Sequence, residues 1–369
     1  MYWANHSSLY YPFGQIDGNY YDWYRQTGSF QPIVPPGSAS ITKGGLAVVS
    51  RVLPGPPMSF TELENNLFWI APNGSIQRDK NGERSEVAPA GSASINGSIT
   101  AVSRKPETIE IWWIGPDGSV QDAFLYGYGN QWGRFPLAPA GSASTNGSIT
   151  AISRKPETME VWWIGSDGSV QDRFWYEGGK WQGFPLAPAG SASTNGSITA
   201  ISRKPETMEV WWIGPDGSVQ DKFWYEGGKW QGFPLAPAGS ASTNGSITAT
   251  SRKPETMEVW WIGPDGSVQD RYWYEGSKWQ GFPLAPAGSA STNGDIAARG
   301  GGDGMLVYWI GQNGSLQEAF FYERTWSTKE DLPRGSLPVN GSIALGLDTW
   351  LIGTNGSVGY YKEPPIIIH

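Results

Sequence analysis

Short runs of β-branched and aromatic residues, separated by Gly, Pro, Asn and Asp, recur along the chain. One unit contains Gly-Ser-Ile-Thr-Ala-Ile-Ser-Arg (147–154), Met-Glu-Val-Trp-Trp-Ile-Gly (159–165), Ser-Val-Gln-Asp-Arg-Phe-Trp-Tyr (169–176) and Trp-Gln-Gly-Phe-Pro-Leu (181–186). Runs of this length between turn-forming residues are typical of β-strands. No segment has an apolar stripe at helical spacing, so we predict an all-β protein built from four-stranded antiparallel units.

This unit is repeated along the sequence. The glycine of a Pro-Asp-Gly-Ser turn, or of a close variant, recurs at Gly74, Gly118, Gly168, Gly217, Gly266, Gly314 and Gly356. Four antiparallel strands in about 49 residues form one blade of a β-propeller. We therefore predict a single seven-bladed β-propeller over residues 1–369, with repeats at about 41–90, 91–140, 141–189, 190–238, 239–287, 288–337 and 338–369.

The two ends of the chain suggest how the ring closes. Inner strands are predicted to begin near Leu46, Ile99, Ile149, Ile198, Ile247, Ile296 and Ile343. A further turn at Asp17-Gly18 precedes the first of them, and the last repeat stops short at Tyr360-Tyr361. We predict that the N-terminal segment, residues 1–40, supplies outer-strand material to the last blade, which removes two exposed sheet edges. An eight-bladed ring is the alternative.

The turns assign the loops to two rims. Pro215-Asp216-Gly217 closes the hairpin between the second and third strands, because proline fixes φ and glycine accepts a positive φ. The Glu177–Lys180 turn joins the third and fourth strands, and the longer 187–196 stretch crosses to the next blade. The Pro-Asp-Gly turns and crossovers share one end of the blades, the first rim. The 154–158 and 177–180 turns share the other end, the second rim.

Both rims carry candidate binding residues, because aromatic side chains there accompany polar groups, the combination that suits a ligand with an apolar face and several hydroxyls. On the first rim, an indole at the end of the second strand is predicted to lie near crossover serines and asparagines. These groups are Trp163 with Ser144 and Asn146, Trp212 with Ser193 and Asn195, and Trp261 with Ser242 and Asn244.

On the second rim, two indoles and a tyrosine are predicted to gather near a glutamate that can accept from two vicinal hydroxyls. In the third copy Arg154 is expected beside them. The groups are Trp175, Tyr176, Trp181 and Glu157, then Trp224, Tyr225, Trp230 and Glu206, then Trp273, Tyr274, Trp279 and Glu255.

Each candidate also has a structural interpretation. Strand alternation places Trp162 and Trp163 on opposite faces, so one indole of each Trp-Trp pair is expected in the core between blades. The Asn-Gly pairs are turn formers, and Arg154 with Glu157 is explained equally by a solvated charge pair. The first copy replaces the aromatic third strand by Ile76-Gln77-Arg78-Asp79-Lys80, so any site built from that strand should be altered there.

Composition and charge exclude several function classes. The net charge is −8 and no basic run is present, so no nucleic acid partner is expected. The chain has no cysteine and two histidines, His6 and His369, which excludes thiol chemistry, a Ser-His-Asp triad and a multi-histidine metal site. We predict no cofactor. The dispersed Asp and Glu residues also lack the ligand spacing of a calcium loop.

The sequence predicts a soluble protein. No apolar stretch approaches the roughly 20 residues that span a bilayer, so no membrane insertion is expected. The N-terminus lacks a basic segment followed by an apolar core. We expect release or secretion without a recognisable signal peptide.

The repeated Ala-Pro-Ala-Gly-Ser-Ala-Ser-Thr-Asn-Gly-Ser-Ile-Thr-Ala and Met-Glu-Val-Trp-Trp-Ile-Gly-Pro-Asp-Gly-Ser-Val-Gln-Asp blocks resemble the seven-bladed propeller lectins of Photorhabdus bacteria. The resemblance covers nearly the whole chain. It implies binding of L-fucose, with galactose-type sugars as a second candidate, at several sites between blades. It also implies contact with glycans on insect or human host surfaces.

A looser resemblance links the chain to the fungal fucose-binding propeller lectins, which hold the sugar with an Arg on the second strand and a Glu on the third. Here the second strand carries Glu160, Glu209 and Glu258, and the third carries Asp172, Asp221 and Asp270. The fungal site is therefore not transferred to these positions.

The expected function is that of a multivalent lectin without catalysis. Near-identical copies suit a small ligand bound many times, and joined weak sites gain avidity on a glycan-coated surface. A propeller glycosidase is one alternative, but a catalytic centre needs one unique constellation of residues. A protein-binding scaffold is the other alternative. A homo-oligomer remains open, because nothing in the sequence identifies an interface.

Overall fold

The computed structural model describes residues 28–53, 62–127, 129 and 131–362, and within them the chain is all-β. The 28 strands of this part form seven antiparallel four-stranded sheets. The predicted seven-bladed propeller is therefore confirmed. Inner strands of successive blades contact each other, and the innermost strand of the last blade contacts that of the first, so the ring is closed.

Strands are numbered in chain order, and each blade runs from its inner to its outer strand except where noted. Blade 1 comprises β2 (Leu46–Leu53), β3 (Glu62–Ile70), β4 (Ile76–Lys80) and β5 (Glu83–Ala88). Blade 2 comprises β6 (Ile99–Val102), β7 (Thr108–Ile114), β8 (Val120–Tyr126) and β9 (Gly133–Ala138). Blade 3 comprises β10 (Ile149–Ile152), β11 (Thr158–Ile164), β12 (Val170–Tyr176) and β13 (Gln182–Ala187). Blade 4 comprises β14 (Ile198–Ile201), β15 (Thr207–Ile213), β16 (Val219–Tyr225) and β17 (Gln231–Ala236).

Blade 5 comprises β18 (Ile247–Thr250), β19 (Thr256–Ile262), β20 (Val268–Tyr274) and β21 (Gln280–Ala285). Blade 6 comprises β22 (Ile296–Gly301), β23 (Gly304–Ile310), β24 (Leu316–Tyr322) and β25 (Thr325–Leu332). Blade 7 comprises β26 (Ile343–Leu345), β27 (Thr349–Ile352), β28 (Val358–Lys362) and, as its outer strand, β1 (Ser29–Val34).

The N-terminal strand closes the ring as predicted. β1 pairs antiparallel with β28, with Phe30 opposite Tyr361. The last blade thus takes its outer strand from the start of the chain, which joins the two ends through backbone hydrogen bonds. The predicted turn at Asp17-Gly18, like His6 and His369, lies outside the described residues. The repeat boundaries given above stay a prediction.

The hydrophobic core is divided into layers between blades. Trp162 lies in the layer between blades 3 and 4, whereas its neighbour Trp163 lies in the layer between blades 2 and 3. Adjacent residues of a strand point to opposite faces, so each blade contributes side chains to both neighbouring layers. Both faces of the second strand are therefore covered, and every residue of β11 is buried.

Hydrogen bonds fix the loops to the two predicted rims. In blade 4, Gly217 has φ +73° and its N–H donates to the carbonyl of Gly214, which closes the turn between β15 and β16. The crossover that follows packs on this turn, since the N–H of Gly239 donates to Asp216 O at 2.9 Å. On the second rim, Glu177 N donates to Glu157 O at 2.8 Å.

A lysine lies near the ring axis at the first rim. Lys43 occupies the crossover position at which the repeats carry an asparagine. Its Nζ donates to the backbone carbonyls of Asn195 at 3.1 Å and Gly245 at 3.0 Å, and also to that of Asn244. Burial lowers the pKa of Lys43 to about 8, although the charge of Asp295 opposes this shift. The segment between β1 and β2 thus contacts the crossovers that lead into blades 4 and 5.

Candidate functional site

A groove with two aromatic walls opens between blades 3 and 4 at the second rim. Its floor is Trp162, whose ring meets Trp230 of the next blade edge to face at a centroid distance of 6.3 Å. Successive aromatic rings on the blade 3 side contact each other, at 5.5 Å for Phe174 with Tyr176 and 6.3 Å for Phe174 with Phe184. Tyr176 is 41 % exposed, so the wall reaches solvent.

Arg154 spans this groove. Its guanidinium lies over two rings, 5.7 Å from the centroid of Tyr176 in its own blade and 4.9 Å from that of Trp224 in the next. Nη1 donates to the carbonyl of Pro205 at 2.9 Å, which fixes the side chain across the seam. The planar cation is therefore held between two aromatic surfaces, an arrangement that favours cation–π attraction.

Two buried carboxyl groups lie beneath the arginine. Oε1 of Glu160 is 3.7 Å from Nε of Arg154, and the residue is 2 % exposed. Burial, and then the charge of Asp172, raises the pKa of Glu160 to about 9 despite the arginine. Asp172 accepts a hydrogen bond from Trp162 Nε1 at 2.7 Å, and its burial raises its pKa to about 7. Burial therefore favours the protonated form of Glu160.

An exposed ion pair also crosses the groove. Lys155 Nζ lies 3.0 Å from Oε1 of Glu226, which follows the third strand of blade 4. The side chains of Lys155 and Glu226 are 32 % and 49 % exposed, so this ion pair contributes little to stability.

The same groove recurs on both sides of this one. Between blades 2 and 3, Arg104 lies 5.5 Å from the ring of Tyr126 and 4.8 Å from that of Trp175. Between blades 4 and 5, Arg203 lies 5.8 Å from Tyr225 and 4.8 Å from Trp273. We call these three the repeat grooves and name each by its blades, 2/3, 3/4 and 4/5.

The structure corrects the predicted grouping on the second rim. Strand alternation sends Tyr176 to groove 3/4, but Trp175 and Trp181 to groove 2/3, where Trp181 contacts Trp112 at 6.2 Å. A complete groove thus combines a tyrosine from one blade with two indoles from the next. The same division separates Tyr225 from Trp224 and Trp230, and Tyr274 from Trp273 and Trp279.

The glutamates predicted for the second-rim site are not the buried glutamates that lie beneath the arginines. Glu157, Glu206 and Glu255 are exposed turn residues. The carboxyl groups beneath the arginines belong instead to Glu110, Glu160, Glu209 and Glu258 on the second strands. The sequence contained a signal for this, since a glutamate inside a strand covered on both faces must be buried.

The predicted first-rim site is not formed by its indoles. Trp163, Trp212 and Trp261 are between 1 % and 3 % exposed. Their Nε1 atoms donate to crossover carbonyls, as Trp163 does to Ser142 O at 3.1 Å. Their ring faces are covered by protein, so these three tryptophans belong to the hydrophobic core and not to an exposed site.

The serines of the first rim join adjacent crossovers. Oγ of Ser144, Ser193 and Ser242 donates to the carbonyl of Thr194, Thr243 and Thr292, respectively, at 2.7–2.9 Å. Asn146, Asn195 and Asn244 are exposed. A sugar-binding role for these asparagines stays a prediction.

The seam between blades 1 and 2 has different chemistry, as expected from the altered first copy. Asn66 and Arg78 replace the glutamate and aspartate of the repeats, and Arg78 Nε donates to Asn66 Oδ1 at 2.8 Å. Arg51 Nε lies 2.7 Å from Oε1 of Glu64, and both side chains are buried. A hydrogen-bonded ion network fills the place of the carboxyl pair.

Neither a metal cluster nor a membrane span is found in the part of the chain that the structure describes. No three His, Cys, Asp or Glu side chains of that part are grouped so that they could hold a metal ion. None of its elements is a helix long and apolar enough to cross a bilayer.

Comparison with known proteins gives the fold. No protein-family model and no curated protein matches the chain. The lectin BP39L from Burkholderia pseudomallei has a TM-score of 0.77 and 18 % identity, over 89 % of this chain and 100 % of that one. AofleA from Arthrobotrys oligospora has a TM-score of 0.58 and 17 % identity, over 83 % and 90 %. The six-bladed fucose-recognising lectin from Aleuria aurantia has a TM-score of 0.55 and 17 % identity, over 81 % and 98 %. At these identities, the chain shares the propeller fold of bacterial and fungal lectins.

Proposed function

We propose that this protein is a multivalent, non-catalytic lectin that binds fucosylated glycans in the repeat grooves of the second rim. The observation that carries the proposal is the threefold recurrence of one groove with a guanidinium between aromatic walls. The exposed ring of Tyr176 suits the C–H face of a sugar, and Arg154, whose side chain is 6 % exposed, holds this ring and Trp224 in place across the seam. One ligand bound at three equal seams explains why these side chains recur together.

The structural neighbours support fucose as the sugar. The Aleuria aurantia lectin has been solved with α-methyl-L-fucoside, and SapL1, of the same fold at a TM-score of 0.58, has been solved with α-methyl fucoside. We extend this ligand class to the present chain. Galactosylated glycans are the second candidate, and host surfaces are the proposed location of both. The closer relation to the Photorhabdus lectins and export without a signal peptide belong to the same proposal.

The absence of catalysis is also part of the proposal. The nearest equivalent of an acid–base pair is Glu160 with Asp172, and both are almost fully buried beneath Arg154. Glycoside hydrolysis requires carboxyl groups that reach the scissile bond from both sides. Because Glu160 and Asp172 are covered, they cannot reach a glycosidic bond, and we assign them a supporting role beneath a binding site.

The test is a comparison of two rims by titration calorimetry with methyl α-L-fucoside. The variant Arg104→Ala/Arg154→Ala/Arg203→Ala should weaken binding about tenfold or more at three sites, because each site loses the cation that holds its two aromatic walls together. The matched control, Asn146→Ala/Asn195→Ala/Asn244→Ala on the first rim, should bind like the parent. Loss of binding in the asparagine variant alone would move the site to the first rim. Hydrolysis of a fucoside by the parent would contradict the proposal of a lectin.

A further inference from the structure

The groove between blades 5 and 6 is bounded by tighter second-rim turns than the repeat grooves. In blade 6, the two turns on the second rim contain two residues each, Gly302–Asp303 and Glu323–Arg324. The corresponding turns of blade 4, 202–206 and 226–230, contain five, but the strands of blade 6 run further, so each hairpin is shorter by only one residue. Groove 5/6 has a volume of about 1000 Å³, at the upper end of the range of small-molecule sites.

The short turn also changes the partners of the groove's arginine. In the repeat grooves, Nη1 of Arg104, Arg154 and Arg203 donates to a proline carbonyl of the next blade at 2.7–2.9 Å. The turn of blade 6 contains no proline. Arg252 donates instead from Nη2 to the hydroxyl of Tyr274 in its own blade, at 3.2 Å. Among the described residues, no acceptor takes its Nη1, so this edge of the guanidinium is available to a ligand.

The aromatic walls are kept in altered form. Trp326 meets the floor residue Trp260 at 6.1 Å, as the equivalent indoles do in the repeat grooves. Phe321 takes the place of the upper indole, 5.3 Å from the guanidinium of Arg252. On the opposite wall, Tyr272 replaces a phenylalanine, and its hydroxyl donates to Gln280 at 3.0 Å. The groove thus offers a smaller upper ring and one more hydroxyl.

The charges along the groove favour an uncharged ligand. Exposed carboxylates at its edge are Glu255, Glu275, Asp303 and Glu323. The basic residues of the lining are Arg252, Lys253 and Arg324, and Lys253 is paired with Asp303 at 2.5 Å. Glu275 is paired in turn with Lys204 at 3.1 Å, so the remaining charges of the lining balance. An acidic sugar would gain no net attraction there, whereas the hydroxyls of a neutral sugar find both donors and acceptors.

We propose that groove 5/6 is a separate site for a neutral oligosaccharide of two or more rings, while the repeat grooves bind a terminal monosaccharide. This inference rests on the proposed lectin function. One ring lies against Phe321 and Trp326, and Arg252 donates to vicinal hydroxyls. The next ring occupies the remaining volume of the groove, toward Tyr272 and Tyr274.

The experiment uses calorimetry on the full chain with methyl α-L-fucoside and a neutral fucosylated trisaccharide. The Arg104→Ala/Arg154→Ala/Arg203→Ala variant should lose monosaccharide binding and keep one trisaccharide site per chain. The converse variant, Arg252→Ala, should keep three monosaccharide sites and lose the additional trisaccharide site, with affinity there falling about tenfold or more. Arg252→Lys, which keeps the charge but not the planar fork, should weaken the same site alone.

Two results would overturn the inference. One is a triple variant that binds neither sugar although it melts like the parent. The other is a parent that takes four equivalents of monosaccharide with equal affinity, because groove 5/6 would then not differ from the others. A parent that binds no fucoside at all contradicts the proposed function instead. In that case groove 5/6 is tested on a glycan array of neutral oligosaccharides. The triple variant should bind to the array, and adding Arg252→Ala to it should abolish the signal.

Discussion

Blade 1 and blade 3 place different chemistry at the same two positions of the same fold. In blade 1, Arg78 donates to Asn66 through its Nε, beside the ion pair of Arg51 and Glu64. In blade 3, Glu160 and Asp172 form a buried carboxyl pair, and the pKa of each is raised. Because one blade replaces the carboxyl pair by a salt-bridged network, the fold does not require the pair. The pair recurs in blades 2 to 5, beneath groove 5/6 as well as beneath the repeat grooves.

The buried carboxyl groups should make stability depend strongly on pH. Burial raises the pKa of Glu110 to about 7, of Glu160 and Glu209 to about 9, and of Glu258 to about 8. The folded protein therefore holds protons that the unfolded chain releases above its ordinary glutamate pKa. Stability is highest near pH 5 and falls as the pH rises toward 9, by up to about 1.4 kcal/mol per group and pH unit. Thermal unfolding should give a lower Tm at pH 8 than at pH 5.

The control for this prediction is the variant Glu110→Gln/Glu160→Gln/Glu209→Gln/Glu258→Gln. Glutamine has the shape of a protonated glutamate and does not titrate, so the slope between pH 5 and pH 8 should become smaller. The remaining slope comes from Glu318, Asp172, Asp221 and Asp270, whose pKa values are also raised by burial. An equally steep slope in this variant would show that other groups cause it.

A pair of identical substitutions tests the comparison directly. Burial opposes ionisation of Glu64, but its hydrogen bonds with Arg51 and Asn66 lower its pKa. Glu64→Gln removes a charge that two buried arginines need, and should cost about 3–5 kcal/mol of unfolding free energy. Glu160→Gln replaces a group whose protonated form burial already favours, and should cost less than about 1 kcal/mol. Urea unfolding at pH 7 measures both, and equal costs would remove the distinction between the two blades.

The regular part of this architecture could be read from the sequence. All seven predicted inner-strand starts, from Leu46 to Ile343, coincide with strand starts in the structure. The short last repeat correctly indicated that the N-terminal segment completes the final blade. These features depend on the local residue pattern and on turn-forming residues, and both recur in every copy of the repeat.

The composition of the grooves could be predicted only in part. The predicted second-rim site contains both Tyr176 and Trp175, although adjacent residues of a strand point to opposite faces. The same alternation correctly separates Trp162 from Trp163. The contact between Arg154 and Trp224 could not be predicted, because it depends on which positions of two blades meet across the seam. The burial of Glu160 follows from a strand covered on both faces, a consequence of the ring rather than of the local sequence.

A further pH-dependent contribution comes from Lys43, which lies three residues before its inner strand, where the repeats carry asparagine. Its pKa of about 8 lies below that of a free lysine, so between pH 8 and 10.5 the unfolded chain binds a proton that the folded protein does not. The lysine thus makes stability rise with pH across this window, by roughly 3 kcal/mol at most. In Lys43→Asn, which restores the residue of the repeats, this contribution should disappear. The measurement is the difference in unfolding free energy between parent and variant at pH 7, 8.5 and 10, which cancels the glutamate titrations common to both. A difference that does not change with pH would mean that the ammonium is not desolvated, and that blade 1 differs from the repeats only in the network around Glu64.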